Sequence, residues 1–355
     1  MKKVIVTDEI MQEAQNIVDG VYAPLTGFVD EIDFENICNC MRLANGSIWA
    51  MPIMLDIDNI TYAEIKDEDS IKIYNGESEF IVENIEIYEI NKKKYTKKIF
   101  GTDDIDHPGV KRFMNYGRYF IGGDVKEVDG KIFEKNNEYY TKPEDTKEIF
   151  RKNNWNYISA FQTRNPPHRS HEFLQKQSLK VADAIMIQPV IGLKKPGDIR
   201  DEYIIGAYEI LLEKYFPDNS VFLNTFHTYM RYAGPREAVF HAQVRANFGC
   251  THMIIGRDHA GVGDYYSELE AHEIFDNFAN DELNVEILKY DNAIFCEDCG
   301  ENIFVGNCDC DDVCKVSLSG TKMRELLDKK QKIPTQFMRP EIVAYLNKQD
   351  DIFCI

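Results

Sequence analysis

The feature that most restricts the fold is a regular alternation, between residues 156 and 256, of short apolar runs and longer amphipathic segments. The apolar runs predict strands and the amphipathic segments predict helices. The predicted strands are NYISAFQ (156–162), AIMIQPVI (184–191), SVFLNTF (220–226) and HMIIG (252–256), and the predicted helices cover 167–182, 200–216 and 235–249. This alternation favours a parallel α/β sheet with right-handed crossovers, in which ligands bind at the carboxyl ends of the strands.

The part of the chain before residue 150 has a different pattern. Short runs rich in isoleucine, valine and tyrosine, such as those at 48–57 and 79–90, are separated by Asn, Gly and Asp, and this pattern predicts strands. One helix is predicted over 8–20, with Asp8 as its N-cap. The charged, asparagine-rich stretch at 139–155 predicts a boundary.

These patterns divide the chain into three parts. We expect a β-rich N-terminal domain, then a catalytic α/β domain with a parallel Rossmann-like sheet, and finally a small C-terminal part with a metal knuckle and helices. The predicted boundaries are 1–152, 153–290 and 291–355.

The net charge excludes one large class of partners. The 355 residues carry a formal net charge of -19, whereas nucleic-acid binding depends on a basic field that releases counterions. The start of the chain lacks the features of a signal peptide, and no apolar stretch reaches the roughly 18 residues needed to span a bilayer. We therefore expect a cytoplasmic protein that binds neither nucleic acid nor membrane.

One stretch departs from this acidic background. QTRNPPHRSHE (162–172) places two arginines and two histidines where the first strand of the alternation meets its helix. Pro166 and Pro167 suit the first turn of a helix, whose free N–H groups attract anions. His168 and His171 are three residues apart, so they share one helical face. Solvated arginines and packed histidines are the alternative interpretation.

A second stretch repeats this arrangement after the last strand of the alternation. IIGRDHAGVGDYY (254–266) brings glycines, Arg257, Asp258 and His259 to a carboxyl end. Glycines allow close backbone approach, and the arginine fork suits phosphate or sulfate. An ordinary glycine-rich loop is the alternative. The connections at 191–200 and 230–245 add further basic residues, so the sequence predicts a local cationic pocket for an anionic ligand.

Several common active-site patterns are not found. The sequence has no Walker-type phosphate loop, no nucleophile elbow and no Gly-x-Gly-x-x-Gly dinucleotide fingerprint. Because the two cationic stretches hold no cysteine and no serine paired with a base, a covalent intermediate is not expected. Direct displacement between bound anions, assisted by positioning and charge, is the simpler chemistry.

Five of the nine cysteines fall between residues 296 and 314, in CEDCGENIFVGNCDCDDVC. In a reducing cytosol such clustering indicates a metal site rather than disulfides. Thiolate pairs at this spacing suit tetrahedral Zn²⁺, and four thiolates leave no open position. The sequence therefore predicts a structural zinc knuckle.

Together these motifs resemble ATP sulfurylase, a sulfate adenylyltransferase family. The first stretch matches the family signature Gln-x-Arg-Asn-Pro-x-His-x-x-His, and GRDHAGVG (256–263) matches its second signature. The resemblance extends over nearly the whole chain, including GVYAPLTGFV (20–29) and HPGVKRF (107–113), which look like the family's PUA-like N-terminal domain. It implies an HxxH nucleotidyltransferase in which sulfate attacks the α-phosphorus of MgATP in line. The implied products are adenosine 5'-phosphosulfate and pyrophosphate.

The resemblance also implies roles for individual residues. Sulfate binding falls to Gln162, Arg164 and the backbone of Ala260. The residues implied to approach the nucleotide are Gln162, Thr163, Asn165, His168, His171, Gly256, Arg257, Asp258 and His259. Of these, Thr163, Asn165, His168 and His171, together with Arg164, are implied to be catalytic.

The remaining implications concern metals and assembly. The nucleotide is expected to carry Mg²⁺, and the zinc ligands are expected to be Cys296, Cys299, Cys308 and Cys314, with Cys310 as the alternative third ligand. The family's kinase-like extension does not follow, so only adenylyl transfer is expected, in a homodimer. Many members carry a Pro-His-Gly-Gly stretch near the start, which this sequence lacks.

Two other interpretations remain open at this point. One is another HxxH nucleotidyltransferase that uses a phosphate ester as acceptor, which acceptor-dependent pyrophosphate release distinguishes. The other is an RNA-binding module built from the PUA-like domain and the knuckle, which the net charge of -19 disfavours.

Overall fold

The N-terminal part is built on a six-stranded mixed sheet. The computed structural model describes residues 1–128, 138–194, 196–279, 282–318 and 320–354. The strands of this first sheet are β1 (Lys2–Ile5), β2 (Gly27–Phe28), β3 (Leu55–Ile57), β4 (Ser70–Tyr74), β5 (Glu79–Glu89) and β6 (Tyr119–Glu127). They pair in the order β1-β4-β5-β6-β2, and β3 also pairs with β6. In β4 buried and partly exposed residues alternate, as the sequence pattern predicts for a strand covered on one face.

Five helices accompany this sheet, namely α1 (Asp8–Val18), α2 (Glu31–Cys40), α3 (Asn59–Ile65), α4 (Lys92–Phe100) and α5 (Pro108–Asn115). The helix predicted over 8–20 is confirmed as α1, but Thr7 occupies its N-cap position and the predicted cap at Asp8 is wrong. The Asp8 carboxylate instead accepts a hydrogen bond from Asn75 at 2.8 Å. His107 caps α5, because its Nδ1 accepts the N–H groups of Gly109 and Val110 at 3.1 and 3.2 Å.

The alternation after residue 156 folds into a parallel sheet, as predicted. Its strands are β7 (Ile158–Thr163), β8 (Ala184–Ile191), β9 (Val221–Leu223), β10 (Phe226–His227), β11 (His252–Ile255) and β12 (Glu286–Lys289). The helices of this region are α6 (Pro143–Lys152), α7 (Arg169–Ser178), α8 (Asp201–Tyr215), α9 (Pro235–Asn247) and α10 (Glu270–Glu273). The sheet order is β10-β8-β7-β11-β12, with β9 paired to β8, and every pairing is parallel.

Both faces of this sheet are covered, which explains why all eight residues of β8 are buried. Ala160 and Met186 belong to a hydrophobic core shared with α9 and the N-terminal part. Phe161 and Ile187, on the other face, belong to a second core shared with α8 and the C-terminal helix. Alternate residues of the strands therefore stabilise two different layers.

The C-terminal part packs against the second layer. It contains a three-stranded sheet of β13 (Ala293–Cys296), β14 (Glu301–Phe304) and β15 (Lys315–Val316), followed by α11 (Gly320–Asp328) and α12 (Pro340–Asn347). The predicted fold class, an α/β catalytic part after a β-rich N-terminal part, is confirmed. The domain boundaries stay predictions; α6, which lies before the predicted boundary at 152, packs on the parallel sheet through Phe150 and Phe222, with ring centroids 5.7 Å apart.

The N-terminal part closes over the carboxyl ends of the parallel strands. Arg231, in the loop after β10, forms a buried ion pair with Glu13 of α1 at 2.7 Å. The Tyr266 hydroxyl lies 2.9 Å from the carbonyl oxygens of both Phe100 and Tyr232, so it links α4 to the same loop. In the ranges that the structure describes, no helix is both long and apolar enough to span a bilayer.

This closure generates a stability prediction. A Cβ added at Gly109 would collide with the carbonyl oxygen of Arg231 and would lie 2.6 Å from the Phe100 ring. Gly109→Ala should therefore push α5 away from the loop after β10, with a cost of about 2 kcal/mol in the free energy of unfolding. Thermal and denaturant unfolding measure the loss.

Gly320→Ala is the matched control. A Cβ at Gly320 would meet only Arg324 Nη1, at 3.7 Å, and alanine favours a helix. We expect unfolding of this variant at or above the parent's midpoint. Equal midpoints for Gly109→Ala and the parent would contradict the tight contact.

Candidate active site

The strand order brings two distant loops together. From β7 the chain moves through β8 to β9 and β10 on one side, and then crosses to β11 and β12 on the other. Chains that leave the carboxyl ends of β7 and β11 therefore diverge and leave a crevice between them. Residues 162–172 begin in the last two residues of β7 and continue beyond it, and residues 256–263 follow β11. The two sequence motifs, nearly a hundred residues apart, share this crevice.

The first motif forms an extended connection before it becomes a helix. The Thr163 hydroxyl accepts the N–H of Asn165 at 3.2 Å and lies 3.1 Å from the Asn165 carbonyl oxygen. The helix α7 begins at Arg169, with His168 as its N-cap, so the predicted placement of the two prolines in its first turn is wrong. His168 has an extended backbone, with φ -115° and ψ 170°, so the helix starts only after it.

His168 and His171 lie together at the start of α7. Their rings stack with centroids 3.5 Å apart, and the Nδ1 of His168 accepts the His171 N–H at 3.3 Å. Burial lowers the pKa of His168 to about 4, and burial with the neighbouring His168 lowers the pKa of His171 well below its usual value. Both rings are therefore neutral near pH 7. Since Nδ1 of His168 is an acceptor, its Nε2 carries the proton and is a donor for an anion.

Arg164 supplies the positive charge of the first motif. Its guanidinium centre lies 5.4 Å from the ring centroid of Tyr232. Arg164 Nη1 and Gln162 Nε2 are both buried, and neither has a hydrogen-bond partner among the described residues. Buried donors without acceptors are costly, and an oxyanion satisfies them with charge-assisted hydrogen bonds. The end of β7 thus has the chemistry of an anion site.

The second motif is a tight loop. Asp258 and Ala260 have left-handed φ values of 52° and 58°, and the Ala260 carbonyl accepts the N–H of Gly234 at 3.3 Å. A Cβ at Gly261 would collide with the Asp258 carboxylate, so a larger residue there would displace that side chain. His259 Nε2 lies 3.0 Å from His241 Nδ1, which fastens the loop to α9. Burial lowers the pKa of His259 to about 3.

Arg257 is turned toward acidic groups. It pairs with Glu268 and lies 3.6 Å from Asp291. A Cβ at Gly256 would meet open space, so sterics alone do not require glycine there. The nucleotide-binding roles expected for Gly256 and Arg257 stay predictions.

Four cysteines converge between β13 and β15. Cys296, Cys299, Cys308 and Cys310 each place a sulfur within 4.8 Å of the others. The Cys299 sulfur lies 3.6 Å from that of Cys308 and 3.7 Å from that of Cys310. Four sulfurs about 2.3 Å from one zinc ion in a tetrahedron lie about 3.8 Å apart, so the group fits the predicted metal.

The predicted ligand Cys314 is not a member of this group, and Cys310 takes its place. The Cys314 thiol hydrogen-bonds Asp298, which raises its pKa to about 11. The sequence left Cys308 and Cys310 as alternatives, whereas the structure brings both into the group.

Three features of the crevice escaped the sequence analysis. Tyr232 contacts Arg164. Gln188 of β8 is fully buried and lies in register beside Gln162, and in the described part of the chain neither of its amide atoms has a hydrogen-bond partner. Glu237 and His241 lie one helical turn apart beneath the second motif. Gln188 could have been noticed in the sequence as the lone polar residue inside the apolar run AIMIQPVI. The contacts of Tyr232, Glu237 and His241 join residues that are distant in sequence, so no local pattern indicates them.

Comparison with known proteins agrees with this geometry. A family model described as ATP-sulfurylase matches residues 137–349, and one described as PUA-like domain matches residues 1–130. A sulfate adenylyltransferase of Ignicoccus hospitalis is 40% identical over 356 residues, which cover 99% of this chain and 92% of that protein. One of Pyrococcus abyssi is 40% identical over 342 residues, covering 96% and 89%.

A solved structure shares the fold. A hexameric APS kinase from Thiobacillus denitrificans superposes with a TM-score of 0.74 at 20% identity, covering 98% of this chain and 63% of that one. This chain thus spans less than two thirds of that protein. At this identity the likeness concerns the fold alone.

The buried first histidine generates a pH prediction. His168 has a pKa of about 4 in the folded protein, against a usual value of 6.5. Between these values the unfolded chain binds more protons, so the free energy of unfolding falls as the pH falls through this window. His168→Asn keeps an N-cap acceptor but removes the titration. Its stability should therefore depend less steeply on pH, by up to one proton, or about 1.4 kcal/mol per pH unit.

Denaturant unfolding across this window measures the two slopes. Above pH 7 the His168 ring and the substituted asparagine are both uncharged. The difference in the free energy of unfolding between parent and variant there reports only the change of N-cap. Identical slopes in the variant and the parent would show that His168 is not held neutral.

Proposed function

Because the chain belongs to the ATP-sulfurylase family, we propose that the crevice between β7 and β11 is where it joins sulfate to the α-phosphate of ATP. The protein is an enzyme, a nucleotidyltransferase with the reaction of its sulfate adenylyltransferase relatives. One observation carries the location of this chemistry. Buried donors on Gln162 and Arg164, which find no acceptor within the ranges that the structure describes, lie at the strand end that also holds two neutral histidines.

Sulfate is assigned to Gln162 and Arg164, with the backbone of Ala260 on the opposite loop. Sulfate is a dianion that must approach an anionic phosphorus, so a fixed positive charge is needed to offset their repulsion. A guanidinium also grips two oxygens at once and orients the attacking one. The contact of Arg164 with Tyr232 supports this role, because it restricts the side chain before the substrate arrives.

The nucleotide phosphates are assigned to Thr163, Asn165, His168 and His171. Neutral histidines donate a hydrogen bond without transferring a proton, and such donors stabilise charge that develops on the phosphates during direct in-line displacement. Asp258 and His259 belong to the loop assigned to the rest of the nucleotide, with Gly256 and Arg257. No residue of the crevice is needed as a covalent nucleophile.

Two metals complete the proposal. Among the described residues the four cysteines are the one group of three or more His, Cys, Asp or Glu ligands close enough to share a metal ion. Mg²⁺ is therefore assigned to the phosphates of ATP itself, which it accompanies in many such sites. Zn²⁺ is assigned to Cys296, Cys299, Cys308 and Cys310, where it ties β13 to the following loop. A homodimer remains the expected assembly.

The sulfate assignment predicts the behaviour of Arg164→Lys. The parent should release pyrophosphate from MgATP only when sulfate is present. Lysine keeps the charge but loses the planar fork, so kcat/KM for sulfate should fall about a hundredfold, or about 3 kcal/mol, while nucleotide binding persists. Steady-state kinetics with varied sulfate, beside a nucleotide titration, give both quantities.

Arg118→Lys is the control, since Arg118 is exposed and pairs with Glu89 at 2.8 Å, far along the chain from the crevice motifs. Its kinetics should match the parent's. Parent-like turnover by Arg164→Lys would remove Arg164 from the sulfate site. Pyrophosphate release that requires a phosphate ester instead of sulfate would favour the alternative nucleotidyltransferase, which uses a phosphate ester as acceptor.

The cysteine geometry predicts a contrast between two substitutions. Cys310→Ser should lose most of the roughly one zinc per chain and lower the melting temperature, because a tetrahedral site loses a ligand. Cys314→Ser should retain the zinc and the parent's melting temperature. Metal analysis and thermal unfolding of the two variants distinguish the two ligand sets. Zinc loss confined to Cys314→Ser would show that Cys314, and not Cys310, is the ligand.

A further inference from the structure

A line of buried polar side chains runs from the N-terminal part to the second motif, and the chemistry described above makes no use of it. Glu13 on α1 accepts from the guanidinium of Arg231 at 2.7 Å. The backbone N–H of Arg231 donates to Glu237 at 2.9 Å. Glu237 lies beside His241, and His241 lies beside His259 of the second motif. Glu13, Glu237 and His241 are at most 2% exposed.

Glu237 is placed to remain a carboxylate. Its Oε1 accepts the N–H of Arg231, and its Oε2 accepts the N–H of Ala233 at 3.0 Å. Burial raises the pKa of Glu237 above its usual value, although these two N–H groups and the Arg231 guanidinium act in the opposite direction. Hydrogen bonds from two backbone N–H groups favour the charged carboxylate over the protonated acid.

The next two groups are neutral histidines. Burial lowers the pKa of His241 well below its usual value and that of His259 to about 3. Arg245 reinforces this, because its buried guanidinium has no acidic partner among the described residues and donates to the His241 carbonyl at 3.5 Å. His272, also near His259, has its Nε2 2.8 Å from the Ile255 carbonyl oxygen.

A neutral imidazole has one N–H and one lone pair, and the neighbours decide which nitrogen holds the proton. His241 Nε2 lies 3.6 Å from Glu237 Oε1. An N–H at that position is attracted to the carboxylate, whereas a lone pair is repelled. His241 Nδ1 therefore holds the lone pair and accepts the Nε2–H of His259 across 3.0 Å.

We infer that Glu237 and His241 are positioning residues for the second motif: through them a buried carboxylate holds His259 in its Nε2–H form. His259 then offers a bare Nδ1, an acceptor, to a ligand at the loop. An acceptor binds a hydroxyl or amino group of a nucleoside and repels phosphate oxygens. The loop is thereby adapted to the nucleoside end of the nucleotide. Only the assignment of the loop to the nucleoside rests on the proposed function.

The tautomer is measured directly in the protein without substrates. Two-bond ¹H–¹⁵N imidazole spectra of histidine-labelled protein, which contains eight histidines, report which nitrogen of each ring is protonated. His259 should carry its proton on Nε2 in the parent. In Glu237→Gln, where the negative charge is gone, the signals of His241 and His259 should shift toward mixed tautomers. A proton on Nδ1 of His259 in the parent overturns the inference.

Kinetics give the second readout. Loss of a residue that orients a ligand-binding group typically costs about tenfold or more, so Glu237→Gln should raise KM for MgATP about tenfold and change KM for sulfate less. Glu237 also accepts two backbone N–H groups, so Glu237→Gln can disturb the local fold. Two substitutions of His241 therefore provide an independent test. His241→Asn retains an acceptor oxygen near the place of Nδ1, whereas His241→Leu does not.

Retention of a near-parent KM for MgATP in His241→Asn, with a rise of about tenfold in His241→Leu, supports the inference; equal values in the two variants overturn it. Glu286→Gln is the matched control, because Glu286 lies 3.5 Å from His252 but is exposed; it should leave KM and the His259 spectrum unchanged. If the parent shows no sulfate-dependent pyrophosphate release, the proposed function fails, while the spectra still decide the tautomer.

Discussion

The reversal of strand order beside β7 is the constraint on which the rest of the molecule depends. Parallel strands need long crossovers, and the crossovers on the two sides of β7 cover opposite faces of the sheet. The loops after β7 and β11 are therefore the neighbouring pair whose chains turn apart. The crevice between them exists before any side chain is considered. The fold thus determines where the chemistry can occur, and the loop residues determine which chemistry it is.

The second constraint is the closure of the N-terminal part over that crevice. The Glu13–Arg231 pair is buried, and burial of two charges costs free energy that only good geometry offsets. Arg231 satisfies this condition through additional bonds to Thr228 and the Tyr229 carbonyl. The pair fixes the loop that also carries Tyr232 beside Arg164. The N-terminal part therefore contributes to the site without supplying an assigned substrate ligand.

The electrostatic design of the crevice is selective. The chain as a whole carries a charge of -19, yet burial keeps His168, His171, His241 and His259 uncharged, so Arg164 is the main fixed positive charge at the end of β7. One cation and several oriented neutral donors suit a small anion, whereas a polyanion needs an extended basic surface. Burial keeps the histidines neutral, and the same low-dielectric environment strengthens each hydrogen bond that they make.

The sequence by itself determined the parallel α/β fold, the meeting of the two motifs at strand ends and the presence of a cysteine cluster, because periodicity and spacing along the chain encode these. Tertiary structure decided the rest. Whether Cys310 or Cys314 joins the cluster depends on the path of the chain after β14, which brings Cys314 to Asp298 instead. The pairing of Arg257 with Glu268 depends on how the two loops meet, and Gln188 and Glu237 gain their positions from strand register and helix crossing. Contacts between residues far apart in sequence depend on packing, which no local pattern records.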